Sequence, residues 1–566
     1  RTEVNRATMT QPSPTHNIAH WLPHWAATDP DRQALLVPVR RPSPQGQRWL
    51  GWTFRELDEA CDRFAYTLRG LGVGPGMLSL LMVRPGLDFY ALTFALFKLG
   101  AVPVLIDPGM GWRNFMNCVR QASPEAFLGI PAAHVLRLLF PRHFRSIRVA
   151  AVLGRLPFPG AVRLVGPAVQ TAEPFGVHPV SPDDPAAVLF TTGSTGPAKG
   201  VAYTHRLFST QVELLRREYG IGPGDTDLPC FPLFGLFSTA LGATAVIPDM
   251  DPSRPAHVDP RRIVEPVLAH RVTYSFGSPT LWARVGEACA ARGQRLPSLS
   301  RVIMAGAPVA AAVHEILLER VLPAGAQTYT PYGATEALPV TNFTGREMLA
   351  ETAVATRCGA GMCVGRPLPE VTLRVVRVTD GAIERWDDGL VLPQGQVGEV
   401  VVRGPVVTTH YHRLPEATRL AKIRDGEALW HRMGDVGYLD ERGRLWFCGR
   451  MAHRVQTAAG TLYSVCCEAI FNAETGVRRS ALVGVGAERA RQVPVIVIEP
   501  TPDAFPASAR ERTAFVDRLL AAGAANPVTR TIRHVLFHRA FPVDIRHNAK
   551  IRRDLLAQWA AKHMGA

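Results

Sequence analysis

The stretch Thr191–Gly200, TTGSTGPAKG, decides how the rest of this chain is read. It holds three glycines, four hydroxyl side chains and one lysine in ten residues. The apolar run Ala186–Phe190 ahead of it predicts a buried strand, and Leu207–Tyr219 beyond it carries apolar residues at helical spacing. A hydroxyl-rich turn after a strand offers several backbone N–H groups and a cation to one anion, which is how protein surfaces hold phosphate. It is not a Walker A loop, because Lys199 follows Ala198 and precedes Gly200. Read alone, the decapeptide fits a phosphate-binding loop and a plain surface turn about equally.

At 566 residues the chain exceeds one ordinary core and predicts two or more domains. With 47% hydrophobic and 20% charged residues it has a soluble globular composition and not a disordered one. The formal net charge of +15 suits anionic partners, but the arginines are scattered and no long basic block occurs. No motif that reads DNA or RNA is visible, so nucleic acid is not an expected partner. Nine scattered cysteines without a CxxC pair read as reduced, buried thiols and not as a zinc site, which points to the cytoplasm. No signal-peptide pattern opens the chain, and no transmembrane segment is expected. The longest apolar run, Phe89–Ile106, is broken by Lys98, Gly100 and Pro103 before it reaches about 18 residues.

Strand-like and helix-like patterns alternate through most of the chain. Helices are predicted over Glu56–Leu71, Asp88–Leu99, Pro279–Cys289 and Ala310–Val321, and strands over Ala101–Ile106, Val272–Phe276 and Arg301–Met304. This alternation predicts an α/β architecture with helix-covered sheets. From Val397 the texture turns to short β segments. Beyond Arg450 comes a smaller region with strands at Ser480–Val485, Val493–Ile498 and Thr531–Phe537 and a helix at Ala509–Ala522. A domain boundary is therefore expected near Gly449–His453, giving 9–449 and 450–566, with residues 1–8, ahead of Met9, set aside as an extension foreign to the fold. The arginine- and apolar-rich stretch Val135–Arg148 fits a docking surface for a partner enzyme or lipid, and equally a covered amphipathic helix.

Three further motifs carry chemistry-bearing side chains. Tyr332–Glu336, YGATE, offers a ring to stack on a base, a hydroxyl for phosphate and a carboxylate for Mg²⁺. Trp430–Gly437, WHRMGDVG, reads as a loop in which Asp435 can accept two hydrogen bonds from a ribose diol. Phe541–Ile551, FPVDIRHNAKI, places Lys550 after a turn-prone Asn-Ala pair.

Together and in this order these motifs resemble the acyl-adenylating superfamily of acyl-CoA ligases, peptide-synthetase adenylation domains and firefly luciferase. The likeness also takes in ALFKLGAVPVLIDP (Ala95–Pro108), MAGAPV (Met304–Val309), VGRPLP (Val364–Pro369), VGEVVVRGP (Val397–Pro405), RMGDVGYLD (Arg432–Asp440) and the segment Cys448–Met451. It implies a large N-terminal AMP-binding domain of several subdomains and a small, mobile α+β lid, with ATP and Mg²⁺ as cofactors. It further implies that Thr191, Thr192, Gly193, Ser194, Thr195, Gly196 and Lys199 wrap the β- and γ-phosphates. By the same resemblance Gly306, Ala307, Pro308 and Tyr332 flank adenine, Thr335 contacts the α-phosphate and Glu336 ligates Mg²⁺. Asp435 and Arg450 then hold the ribose, and Lys550 bridges carboxylate and α-phosphate oxygens.

The chain departs from the common pattern at Gly235, where acyl-CoA ligases carry histidine, at His453, where an acidic hinge residue is usual, and at Asn548–Ala549, where Ser-Gly is usual. FPVDIRHNAKI, TYTPYGATEALPVT and PLFGLF resemble the olefin β-lactone synthetases. That resemblance implies a long-chain 2-alkyl-3-hydroxy acid substrate, an apolar tunnel for it, and partners among the other enzymes of olefin biosynthesis. Acyl-CoA ligases, acyl-AMP ligases serving a carrier protein and a non-catalytic nucleotide-binding scaffold are the competing readings. His205 and His453 are candidates, on chemistry alone, for the base that takes the 3-hydroxyl proton.

Overall fold

Strand Pro185–Thr191 forms where the apolar run predicts it, but the chain does not pass from the glycine-rich loop into a helix. A second strand, Lys199–Thr204, follows and pairs antiparallel with the first, so the loop closes a hairpin. Val201, Ala202 and Tyr203 are buried, and such a short run carries no alternation by which to read it as a strand. Helix His205–Tyr219 begins only then, with Thr204 accepting a 3.3 Å hydrogen bond from the Leu207 N–H and Gly220 ending it in the left-handed region. The computed structural model describes residues 16–39, 47–154, 157–164, 173–191, 197–543 and 551–564.

This hairpin edges a seven-stranded sheet. Its order is Val162–Leu164, Val149–Leu153, Ala126–Gly129, Leu78–Met82, Val102–Ile106, Pro185–Thr191, Lys199–Thr204, parallel but for the last pair. A second seven-stranded sheet runs Gln327–Tyr329, Arg301–Met304, Tyr274–Gly277, Thr226–Asp227, Thr244–Val246, Gln33–Pro38, Trp49–Thr53, again parallel except at the final hairpin. Helices Phe54–Gly70 and Leu87–Lys98 contribute to the main hydrophobic core. Lys98, the charge that interrupts the longest apolar run, is buried at a helix end and paired with Asp58 at 2.6 Å and with Asp62. Those partners are what allow a cation to stand in a core.

An antiparallel six-stranded sheet follows. Its path is Met362–Cys363, Leu445–Arg450, Ala428–Leu439, Gly398–Arg403, Thr372–Val376, with Lys422–Asp425 added beside Ala428–Leu439. Residues 455–564 build strands Val477–Val485, Val493–Pro500 and His534–Phe537 with helices Ser464–Asn472, Ala509–Ala524 and Arg553–His563. They own two hydrophobic clusters, one around Phe471 and Phe515 and one around Phe541 and Leu556. A small cluster of Val436, Cys448 and Cys466 ties strand Leu445–Arg450 to helix Ser464–Asn472. All nine cysteines are free thiols, and only Cys358 is exposed. No helix among the described residues is long and apolar enough to cross a membrane.

Candidate functional site

Asp435 does not sit in a loop, as the Gly-Asp pair suggests, but within the long strand Ala428–Leu439. Ladders on both flanks, to Gly398–Arg403 and to Leu445–Arg450, hold the strand through Gly434 and a bulge at Val436–Gly437. Asp435 and Arg450 are cross-strand partners, and Arg450 Nη1 reaches Asp435 Oδ1 at 2.9 Å and the Met433 carbonyl at 3.1 Å. The Tyr332 hydroxyl donates to Asp435 Oδ2 at 2.6 Å. Burial pushes the Asp435 carboxyl up, opposed by Arg450 and the Tyr332 hydroxyl, and Asp435 in turn holds the Arg450 guanidinium up. A carboxylate has about four acceptor positions, so one that has accepted two hydrogen bonds keeps capacity for a diol.

Tyr332–Ala334 is a strand, and Thr335–Glu336 is the turn that joins it to Ala337–Asn342. The segment around Val407–His412 fixes that turn to the hairpin of Pro185–Thr191 and Lys199–Thr204. Val407 bridges Ala337, Tyr411 bridges Val201, and the His412 N–H donates to the Gly200 carbonyl at 2.7 Å. The Tyr203 hydroxyl holds the Thr335 carbonyl at 2.7 Å, and Thr408 grips the Glu336 carbonyl through both N–H and Oγ1, each at 2.9 Å. The Tyr411 hydroxyl donates to Glu336 Oε1 at 2.6 Å, and Lys199 Nζ lies 4.8 Å from the centre of the Tyr411 ring. The structure thus brings Lys199 and Glu336 to one phenol, and Tyr332, Asp435 and Arg450 to one another. Gly306, Ala307 and Pro308 follow strand Arg301–Met304, and Tyr332 follows its parallel neighbour Gln327–Tyr329. Both therefore stand at strand carboxyl ends, the side on which open α/β sheets bind ligands. Thr192, Gly193, Ser194, Thr195, Gly196 and Lys550 lie outside the described residues, as does the Thr191 side chain.

Sequence reasoning missed Tyr203, Thr408, Tyr411 and Lys422: VVTTHYH, which holds Thr408 and Tyr411, has no periodicity, and Tyr203 and Lys422 stand on short strands whose partners lie 132 and 14 residues away. The Lys422 ammonium is buried and donates to the Thr408 carbonyl, with Thr408 Oγ1 at 3.3 Å. Burial pushes it down to about 7, against the opposing pull of Glu336. Near it His431 is buried, held well below its ordinary range by burial and then by Lys422. Between pH 7 and 10.5 the unfolded chain binds a proton at Lys422 that the folded chain does not. Stability from this group therefore rises with pH, by about 1.4 kcal/mol per unit. Urea unfolding of wild type and Lys422→Met across pH 7–9 is expected to show the wild type gaining on the variant by on the order of 2–3 kcal/mol; parallel profiles would contradict a desolvated lysine.

The two candidate bases fare poorly. His205 is buried against Phe97, both its ring nitrogens without a hydrogen-bond partner among the described residues, and burial pushes it down to about 4. It is a core side chain. His453 is pushed down to about 3 by burial and by the neighbouring Arg553 and Arg450. Gly235, the position usual for histidine in acyl-CoA ligases, has a steric reason to lack a side chain. A Cβ there would stand 2.3 Å from the Tyr90 hydroxyl, which donates to the Pro232 carbonyl at 2.6 Å.

The model for the family described as AMP-binding enzyme matches residues 22–412. The chain belongs to this family. It is similar to olefin beta-lactone synthetases of Stenotrophomonas maltophilia (strain K279a) and Xanthomonas campestris pv. campestris, each 45% identical. The first alignment covers 97% of this chain and 98% of the relative, the second 96% and 98%. Among solved structures, the amide bond synthetase McbA from Marinactinospora thermotolerans superposes with a TM-score of 0.77 at 24% identity, over 97% of this chain and all of that one. That likeness speaks to the AMP-binding fold alone: a large mixed α/β N-terminal part and a smaller C-terminal one.

Proposed function

We propose that this chain is an ATP-dependent β-lactone-forming ligase. The carboxylate of a long-chain 2-alkyl-3-hydroxy acid displaces pyrophosphate from the α-phosphate of ATP, and the substrate's own 3-hydroxyl then displaces AMP to close a four-membered lactone. The observation that carries this reading is the near-full-length identity to two olefin beta-lactone synthetases. A nucleophile already tethered to the electrophile supplies much of the second step by proximity and needs no thiol cosubstrate.

In this reading the adenosine lies by Gly306–Pro308 and Tyr332, and Asp435 accepts from the ribose hydroxyls with its spare lone pairs. Arg450 keeps that carboxylate ionised and in place. Thr191–Lys199 cradles the outer phosphates, and Thr335 donates to the α-phosphate. Glu336 has one oxygen engaged by Tyr411 and offers the other to a cation. No cluster of three or more His, Cys, Asp or Glu among the described residues could hold a metal by itself. A single carboxylate beside phosphates suits Mg²⁺, which takes few protein ligands and fills its shell with substrate oxygens and water. When bound, that ion offsets the repulsion between the anionic phosphates and the incoming carboxylate. Residues 450–566 are proposed to form a lid hinged at Arg450 that carries Lys550 to the reacting oxygens; the separate cores of 455–564 support it.

Incubation with ATP, Mg²⁺ and a 2-alkyl-3-hydroxy long-chain acid, with and without CoA, is expected to yield AMP, pyrophosphate and a β-lactone in both cases by mass analysis. A thioester that appears only with CoA would reject the lactone reading.

A further inference from the structure

The cationic excess that looks scattered in sequence is locally one-sided: residues 108–172 contain eight arginines and a single acid, Glu125. Glu125 is paired with Arg148 at 3.1 Å. Helix Pro131–Leu139 lies in this region and is docked by its inner side, where Ala133 and His134 are buried and the His134 ring meets Phe127 edge-on at 4.7 Å. Its outer side is not covered. Val135, Leu138 and Leu139, spaced three and four residues apart on one face, are 45%, 50% and 66% exposed. Trp112, at the start of helix Trp112–Ala122, is 61% exposed and stacks on Phe140 at 5.9 Å, which extends the same apolar ridge. Arg113 lies 5.7 Å from the Trp112 ring centre, and Arg142 and Arg145 stand exposed after the helix. None of these three forms an ion pair with an acid among the described residues.

We propose that this ridge seats the protein on the surface of an anionic lipid bilayer. An apolar helix face bordered by arginines lies at the boundary between headgroups and acyl chains, and an exposed tryptophan anchors there. Basic side chains add attraction to anionic headgroups, and the near absence of acids removes the opposing repulsion. An acidic protein surface would offer the same charge complementarity, but the exposed apolar face and Trp112 set among the arginines suit a layer that is anionic at its surface and apolar beneath. The seat rests on these surface residues and not on which product the enzyme makes; a long-chain substrate gives it a use, because such an acid is held in membranes.

The full chain, sedimented with vesicles of phosphatidylcholine mixed with phosphatidylglycerol, is expected to bind about tenfold more tightly than to phosphatidylcholine alone, and less at raised salt. Trp112→Ser with Leu139→Ser, and separately Arg142→Glu with Arg145→Glu, are each expected to weaken that binding by about tenfold while pyrophosphate exchange and thermal unfolding stay as in the wild type. The two variants change different chemistry at exposed positions, so either one reads the surface if the other fails to fold. Absence of binding to anionic vesicles, or binding unchanged in both variants, would overturn the proposal. So would loss of association with another protein while vesicle binding persists.

Discussion

Lys550→Ala is expected to slow adenylation, read as ATP–pyrophosphate exchange, by about a hundred- to a thousandfold, with the unfolding midpoint unchanged. The reaction drives a carboxylate onto an already anionic phosphate, and charge gathers on the oxygens between them. In the proposed reading the Lys550 ammonium is the cation that acts where this charge develops, and a group already in place costs nothing to reorient at the moment of reaction. Among the described residues, Lys199 lies over the Tyr411 ring and Arg450 is paired with Asp435, so neither is expected to replace the ammonium that the proposed function assigns to Lys550. Lys550→Arg, which keeps the charge but changes its shape and reach, is expected to recover part of the rate. An exchange rate unaffected by Lys550→Ala would remove that residue from the mechanism.

Glu399→Ala is expected to destabilise the fold by about 3–5 kcal/mol, among the largest effects of any single substitution here. Arg432 and Glu399 are almost wholly buried, and the guanidinium meets the carboxylate through Nε and Nη2 at 2.7–3.1 Å. Its remaining donors go to the carbonyls of Gly381, Leu420 and Thr379. Burial pushes the Glu399 carboxyl up and Arg432 opposes it, so removing the acid leaves a cation in the core without its counter-charge. Arg432 stands three residues before Asp435 on the same strand, so the damage is expected to reach nucleotide affinity as well. Glu399→Leu combined with Arg432→Met removes both charges and is expected to recover much of the loss. Urea unfolding of the three proteins checks this. A loss below about 1 kcal/mol in the single variant would mean that the pair behaves as an exposed one.

The fold was most legible where local pattern and burial agree. Strand Arg301–Met304 forms over the residues predicted, and helices Phe54–Gly70 and Leu87–Lys98 lie within two residues of their expected bounds. The failures have physical causes. Lys199–Thr204 is too short and too fully buried for alternation to mark it, and Asp435 sits in a strand because neighbouring ladders outweigh the turn preference of Gly434. Helix Arg553–His563 was missed although Leu556 and Ala560, four apart, form its buried side. At the site, glycine-rich and acidic motifs marked the groups proposed to face the nucleotide. The groups that hold them could not be read: Tyr411 meets Glu336 across 75 residues and Tyr203 meets Thr335 across 132. The bridges that segment Val407–His412 makes to Ala337 and Val201 bring those elements together.

The most direct test follows the carboxyl oxygens. A 2-alkyl-3-hydroxy acid labelled with heavy oxygen in its carboxylate is turned over with ATP, and the AMP released is weighed. Attack of the carboxylate on the α-phosphate followed by departure of AMP from the carbonyl leaves one heavy oxygen on AMP and one in the lactone carbonyl. AMP without label, with both heavy oxygens kept in the lactone, would mean that the 3-hydroxyl and not the carboxyl is activated, and would contradict the account.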